Sequence, residues 1–138
     1  MLDYKLLKLK QIKDQRGDLS VIQNSDLPFK IERIFWAGAT SLLIKRGDHV
    51  HPEEPIQALF CARGSCDIEL DNGYEKAEVS LMGDNILIVK PMIWHKMYNY
   101  SDDCLLFTLA STEYNEADYI RDRKKFDSIP KYVQGKLF

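Results

Sequence analysis

The sequence predicts an all-β chain: an antiparallel sandwich or barrel with one short helix near its C-terminal end. Three observations carry this reading. Apolar, β-branched and aromatic residues recur in short runs bounded by Gly, Pro, Asn or Asp. CDIEL alternates as a half-buried strand does, while ILIV and LLFTLA are short continuous apolar runs. Tight-turn signals then separate neighbouring runs, the arrangement of an antiparallel sandwich or barrel.

Taken in order, the expected strands are YKLLKL (4–9), SVIQ (20–23), IERIFWA (31–37), SLLIK (41–45), IQALFCA (56–62), SCDIEL (65–70), KAEVSL (76–81), NILIVK (85–90), WHKMYNY (94–100) and CLLFTLA (104–110). Arg63-Gly64 reads as a tight turn between two of them. Asp71-Asn72-Gly73 reads as a hairpin, because such turns need positive φ. A helix is expected from Asn115 to about Phe126, with Asn115 as its cap and Glu116 and Asp118 near the positive end of its dipole. Tyr119, Arg123 and Phe126 would then neighbour one another on its surface. Strand alternation puts Trp94, Tyr98 and Tyr100 on a face opposite His95, where they read as core or interface residues. The last dozen residues, 127–138, read as a loosely ordered tail or a partner-dependent arm.

A length of 138 residues suits one domain spanning the whole chain, with its core at roughly 4–126. Hydrophobic residues at 45% and charged residues at 29% fit a soluble globular protein. The net charge of −2 offers none of the basic field that nucleic-acid binding needs. No apolar run is long enough for a membrane-spanning helix. MLDYKLLKLKQIKD lacks a signal-peptide core, so a cytoplasmic location is expected. Cys61, Cys66 and Cys104 make an odd count without a secretion signal, which points to reduced, structural thiols. Cys104 sits in an apolar run, and no second cysteine pair completes a zinc site with Cys61 and Cys66.

The stretch RGDHVHPEEPIQ (46–57) holds two of the three histidines. In an extended segment His49 and His51 face the same way, their Cα atoms roughly 6.5 Å apart. His95 lies in another expected strand, and a crossing of the two would bring all three into one cavity. The residues alone leave three readings open. The imidazoles are solvated, or they ligate Zn, Fe, Ni or Cu, or they perform acid–base chemistry without a metal.

The spacing Gly47, His49, His51, Gln57, Gly64 followed by Gly83, Pro91, His95, Asn99 resembles the two motifs of the cupin superfamily. RGDHVHPEEPIQALFCARGSCDIELDNG, PMIWHKMYNYSDDCLLFTLAS and YNEADYIRDRKKF, in that order, resemble the nucleotide-sugar 3,4-ketoisomerases within it. The resemblance implies a cupin-type antiparallel barrel, or jelly roll. It also implies an isomerase that moves the keto group of a dTDP-linked 4-keto-6-deoxyhexose from C4 to C3, in the making of unusual bacterial surface sugars. No metal or cofactor is implied: Gln57 stands where metal-binding cupins place Glu, and an amide adds no charge to hold a divalent ion. His51 is the leading base and His49 its acid partner or shuttle, with the reverse order open. Arg33 and Arg46 match basic positions suited to a diphosphate, and Gln57 and His95 join the substrate site. A homodimer exchanging its N-terminal strand is implied as well. The chain departs from the family at Phe35 and Trp36, where tyrosine is usual, and at Pro52, where lysine is usual. Two alternatives follow: a nucleotide-sugar-binding module without turnover, and a metal-dependent cupin using His49, His51 and His95.

Overall fold

The computed structural model describes residues 2–38 and 45–129. The expected strand SLLIK therefore lies outside the described residues except for Lys45, as does the tail from 130 onward. The described chain is built of antiparallel strands with one short helix, as the sequence predicts. One sheet has five strands in the order β1 (Lys5–Lys8), β9 (Asn85–Val89), β6 (Gln57–Arg63), β11 (Leu105–Ala110), β4 (Arg33–Gly38). A second has four, in the order β5 (Arg46–His49), β10 (Trp94–Tyr98), β7 (Ser65–Asp71), β8 (Lys76–Met82). A separate ribbon pairs β2 (Lys10–Asp14) with β3 (Gly17–Val21). β2 was not expected: its sequence KQIKD carries a single apolar residue, and hairpin pairing rather than burial forms it.

The two kinds of strand pattern have one cause. CDIEL alternates because Cys66, Ile68 and Leu70 enter the space between the sheets while Asp67 and Glu69 are only partly buried on the other face. ILIV does not alternate because both of its faces are covered. Leu87 joins the inter-sheet core, and Ile86 and Ile88 pack outside it under Leu9, Leu27 and Phe29. Leu59, Ile68, Leu70, Leu81 and Leu87 are fully buried, each worth roughly 1.5–3 kcal/mol of transfer free energy.

The helix expected from Asn115 divides in two. Asn115 does cap a turn, accepting from the Ala117 amide, but that 3₁₀ turn covers only Glu116–Asp118. Ile120 then pairs with Val50 in an isolated antiparallel bridge, Val50 N–Ile120 O 3.0 Å and Ile120 N–Val50 O 2.9 Å. An extended Ile120 ends the turn, and α1 (Arg123–Ser128) restarts behind a second cap, Asp122. Arg123 and Phe126 remain neighbours, but Tyr119 points elsewhere. Asp127 and Ser128, expected in the tail, belong to this helix. It docks through fully buried Phe126 and through Arg123, which donates to buried Asp71 at 2.6 Å.

The shared face expected for Trp94, Tyr98 and Tyr100 holds for the first two, which alternate with His95 along an unbroken β10, and fails for Tyr100. Asn99 adopts φ 55°, ending β10 and turning Tyr100 into the inter-sheet core beside Met97. Trp94 packs instead with Val50, Met92 and Phe126, and Tyr98 stays near the surface, bonded to Glu78.

Candidate active site

The site begins with a bulge. His95 pairs with His49, yet its neighbour Lys96 pairs with Gly47, so Asp48 is one residue too many on β5. Asp48 takes φ 56° and Gly47 φ 76°, and Trp94 Nε1 donates to Asp48 Oδ1 at 3.0 Å. A Cβ on Gly47 would stand 2.9 Å from Met97 Sδ and 3.1 Å from the His95 carbonyl, so glycine is needed for both the angle and the space. The bulge sets His49 directly across from His95. Val50 turns to the opposite side and is buried, and His51 returns to the side of His49.

All three expected histidines meet. The ring centroids are 4.7 Å apart for His49–His51, 4.6 Å for His49–His95 and 5.7 Å for His51–His95. His49 Nε2 lies 3.1 Å from His51 Nε2. His51 Nδ1 donates to the Asp118 carbonyl and His95 Nδ1 to the Ile93 carbonyl, both at 3.1 Å. A carbonyl only accepts, so a neutral His51 has a bare Nε2. The Nε2–Nε2 contact is then a hydrogen bond only if His49 supplies the hydrogen. Two imidazoles in this arrangement can pass a proton between them.

Tyr119 closes the group, its ring 5.0 Å from that of His49 and 4.5 Å from that of His51. Arg121 lies over the other part of this tyrosine, 4.5 Å from the ring centre. The residue expected on a helix surface is thus a wall of the site, put there by the Val50–Ile120 bridge. No local pattern around Tyr119 signals this; the pairing partner is about 70 residues away in sequence.

A cavity of about 260 Å³ opens beside the rings. Of the expected site residues, His49, His95, Gln57 and Arg46 line it. His51 does not. It is almost wholly buried behind His49, so the ring nearer the cavity is His49 and not the expected leading base. Arg33 is also one residue removed: its guanidinium lies 5.2 Å from the Phe35 ring and 5.6 Å from that of Tyr114. Phe35 and Trp36, the departures from the family pattern, are part of the wall, and so is Thr108 from β11.

Burial sets the charge state of the rings. It holds His49 below the usual imidazole range and His95 well below it. His51 is lowered to about 4, by burial first and then by the repulsion of His49 whenever that ring is protonated. The three rings are therefore neutral at pH 7, as a proton acceptor must be. Unfolding releases His51 to an ordinary pKa of about 6.5. As pH falls from 6.5 toward 4, the unfolded chain gains a proton that the folded one refuses, and stability falls. Urea unfolding at pH 7 and pH 4.5 is expected to show a loss on the order of 2–3 kcal/mol from this residue. A His51→Asn variant lacks that part of the loss; an identical pH dependence in the variant contradicts the assignment.

With this geometry in hand, the likeness to known proteins is specific. The family described as FdtA, WxcM-like C-terminal, matches residues 2–131. The TDP-4-oxo-6-deoxy-α-D-glucose-3,4-oxoisomerase of Aneurinibacillus thermoaerophilus is 37% identical over 134 residues, 96% of this chain and 94% of that protein. A histidine-to-asparagine variant of the 3,4-ketoisomerase QdtA from Thermoanaerobacterium thermosaccharolyticum, solved with TDP-4-keto-6-deoxyglucose, superposes with a TM-score of 0.90 at 31% identity and 96% coverage of both chains. A 3,4-ketoisomerase from Helicobacter canadensis gives 0.87 at 36% identity, covering 92% of this chain and 96% of its own. The match runs from before β1 to beyond α1 and takes in every residue of the histidine cluster, so the chain belongs to the FdtA, WxcM-like C-terminal family.

Proposed function

We propose that this protein is a sugar-nucleotide 3,4-ketoisomerase that moves the keto group of a dTDP-linked 4-keto-6-deoxyhexose from C4 to C3. The observation that carries the reading is the His49–His51 contact of 3.1 Å at the edge of a cavity whose polar wall groups include Gln57, Thr108 and Arg46. The chemistry needs only proton transfer. The C3–H bond breaks and its electrons form the C3–C4 double bond of an enediolate. A proton then adds at C4, the proton on O3 passes to O4, and the carbonyl stands at C3. Nothing is oxidised or reduced overall, so no cofactor is required.

His49 is the group that takes the C3 proton, because it is the histidine of the pair that lines the cavity. The Gly47 backbone beside His49 favours its charged form. His51 shares that charge, and the Asp118 carbonyl steadies the Nδ1–H of the resulting imidazolium. The Gln57 amide and Thr108 hydroxyl are the donors for the enediolate oxygens. Ligand pockets for drug-sized molecules run roughly 300–1,000 Å³, so a cavity of about 260 Å³ suits the hexose ring alone. The diphosphate then lies at the mouth, where Arg46 is exposed. Arg33 supports that end by its charge and by its stacking on Phe35.

A second reading has one observation in its favour. One ligand atom from each of His49, His51 and His95 lies within 4.8 Å of the others, which is also a spacing for a metal ion. The donors would be three neutral imidazoles with the Gln57 amide beside them, and among the described residues no carboxylate joins the group to balance a divalent charge. Metal-free catalysis is preferred on that ground. An NMR time course in D₂O, with enzyme dialysed against a chelator and dTDP-4-keto-6-deoxyglucose as substrate, tests both. Deuterium at the reacting carbons and a carbonyl signal moved to C3 are expected at the undialysed rate. Activity that disappears and returns only with added metal supports the second reading, and binding without exchange supports a non-catalytic module.

The functional unit is a cytoplasmic homodimer in this reading; three buried free thiols suit a reducing compartment. Ile34 and Trp36 are exposed on β4, the edge of the five-stranded sheet, and Ile12 and Leu19 on the β2–β3 ribbon. An edge and a ribbon that leave large apolar side chains in water favour pairing with a second copy. β1 touches the sheet through β9 alone, so exchange of this strand between copies keeps the same hydrogen bonds. Light scattering at micromolar concentration is expected to give twice the chain mass, and a monomer mass contradicts it.

A further inference from the structure

Away from the histidines, a second cluster of chemically capable side chains lies under one end of the barrel. Cys61 on β6, Cys66 on β7 and Cys104 just before β11 are all buried. The Cys61 sulphur is 3.8 Å from that of Cys66 and 3.9 Å from that of Cys104, and all three lie within 4.8 Å of one another. Sequence position does not suggest this, since the third thiol comes from a loop about 40 residues later. The turn at Gly64 creates it. Gly64 has φ 68°, and a Cβ there would stand 2.1 Å from Ser101 Oγ and 2.8 Å from Cys104 Cα. Its bareness lets the 101–104 loop close on the β6–β7 turn. Ser65 N donates to Ser101 Oγ and Ser101 N to the Ser65 carbonyl, both at 2.9 Å. This clamp holds Cys104 against the other two.

We propose that Cys61, Cys66 and Cys104 form a trithiol receptor for a trivalent thiophile of the arsenite type. The spacing suits one central atom: three sulphurs at roughly 2.3 Å from a pyramidal centre stand about 3.5 Å apart, so the contacts of 3.8 and 3.9 Å need to close by only a few tenths of an ångström. The surroundings then select the kind of centre. Leu59, Ile68, Leu81 and Leu106 belong to the same buried cluster. Among the described residues the group contains no imidazole or carboxylate as a fourth donor. A divalent ion on three thiolates carries net negative charge into that apolar setting, which is costly. A trivalent arsenic on three thiolates is neutral.

The Cys66 thiol first and burial second push Cys61 up strongly, against a smaller lowering by Cys104, and burial followed by Cys61 pushes Cys104 up to about 12. Free thiolates are disfavoured there, but the exchange with arsenous acid does not need them as products. Three As–O bonds and three S–H bonds break, and three As–S bonds form. The three hydroxides leave with the three thiol protons as water. Arsenic stays trivalent and no oxidant or reductant takes part. The triad lies close to the surface: Ala62 and Arg63 next to Cys61, and Asp102 and Asp103 next to Cys104, are exposed.

The test uses the whole folded protein and sodium arsenite. Native mass spectrometry is expected to find one arsenic per chain with three protons lost, together with a raised melting temperature. X-ray absorption at the arsenic edge is expected to show three sulphur neighbours and no oxygen. Cys61→Ser, Cys66→Ser and Cys104→Ser are each expected to weaken binding by an order of magnitude or more. No adduct on the folded protein, an adduct formed only in urea, or a coordination shell of two sulphurs and one oxygen overturns the proposal. The absorption result on the unaltered chain decides the matter even if a serine variant fails to fold.

Discussion

Replacing His49 by Asn is expected to lower turnover about 10²–10⁴-fold, the range that a positioned acid–base group contributes. His49 is the histidine of the pair that borders the cavity, and His51 stands behind it. Asparagine keeps a polar side chain of similar reach but has no proton acceptor near neutral pH. It therefore removes the proton transfer and spares the packing. His49 is only partly buried, so the fold tolerates the change. KM is expected to shift far less than kcat, because Gln57, Thr108 and Arg46 still line the cavity. The readout is deuterium incorporation at C3 under single-turnover conditions, with circular dichroism to verify the fold. Exchange at a near-normal rate in the variant would remove His49 from the chemistry and return the role of base to His51.

Gly47→Ala is expected to cost about 1–3 kcal/mol of stability, the range for a residue held in a sparsely populated backbone region, and to depress turnover as well. The two effects share a cause. Gly47 sits at φ 76°, and an added Cβ meets Met97 Sδ at 2.9 Å and the His95 carbonyl at 3.1 Å. Met97 is nearly buried and the carbonyl is backbone, so β5 and β10 must part by a few tenths of an ångström. The bulge at Asp48 depends on that contact, and the bulge is what sets His49 opposite His95. A shift of this size at a proton-transfer distance of about 3 Å is enough to slow catalysis. Urea unfolding and kcat on the same preparation check the prediction. Unchanged stability would mean that the bulge relaxes freely. Lost stability with full kcat would mean that the histidine geometry does not depend on it.

Much of the architecture is legible in the chain because burial acts on each strand locally. SCDIEL shows its one inward face by alternation, and NILIVK shows two covered faces by the lack of it. The meeting of the three histidines was legible as well, since H-x-H places two rings on one side and His95 lies in the strand that pairs with the first. The ordering of His49 and His51 was not. Period-two alternation says that the rings share a face, but not which one the cavity reaches. That depends on Tyr119, on the Asp118 carbonyl and on the wall of Phe35 and Trp36. Tyr119 was misread for a related reason. Asn115, Glu116 and Asp118 form a proper helix start, and a bridge from Val50 overrides it after three residues.

The amino-acid sequence by itself determined the antiparallel class and most strand positions. Those follow from periodicity and turn chemistry, which are properties of neighbouring residues. Tertiary structure alone decided which imidazole faces the cavity, which tyrosine closes it and that three separate cysteines share one point. Each depends on contacts between segments far apart in the chain, whose distances are set only when the sheets pack and the loops close over them.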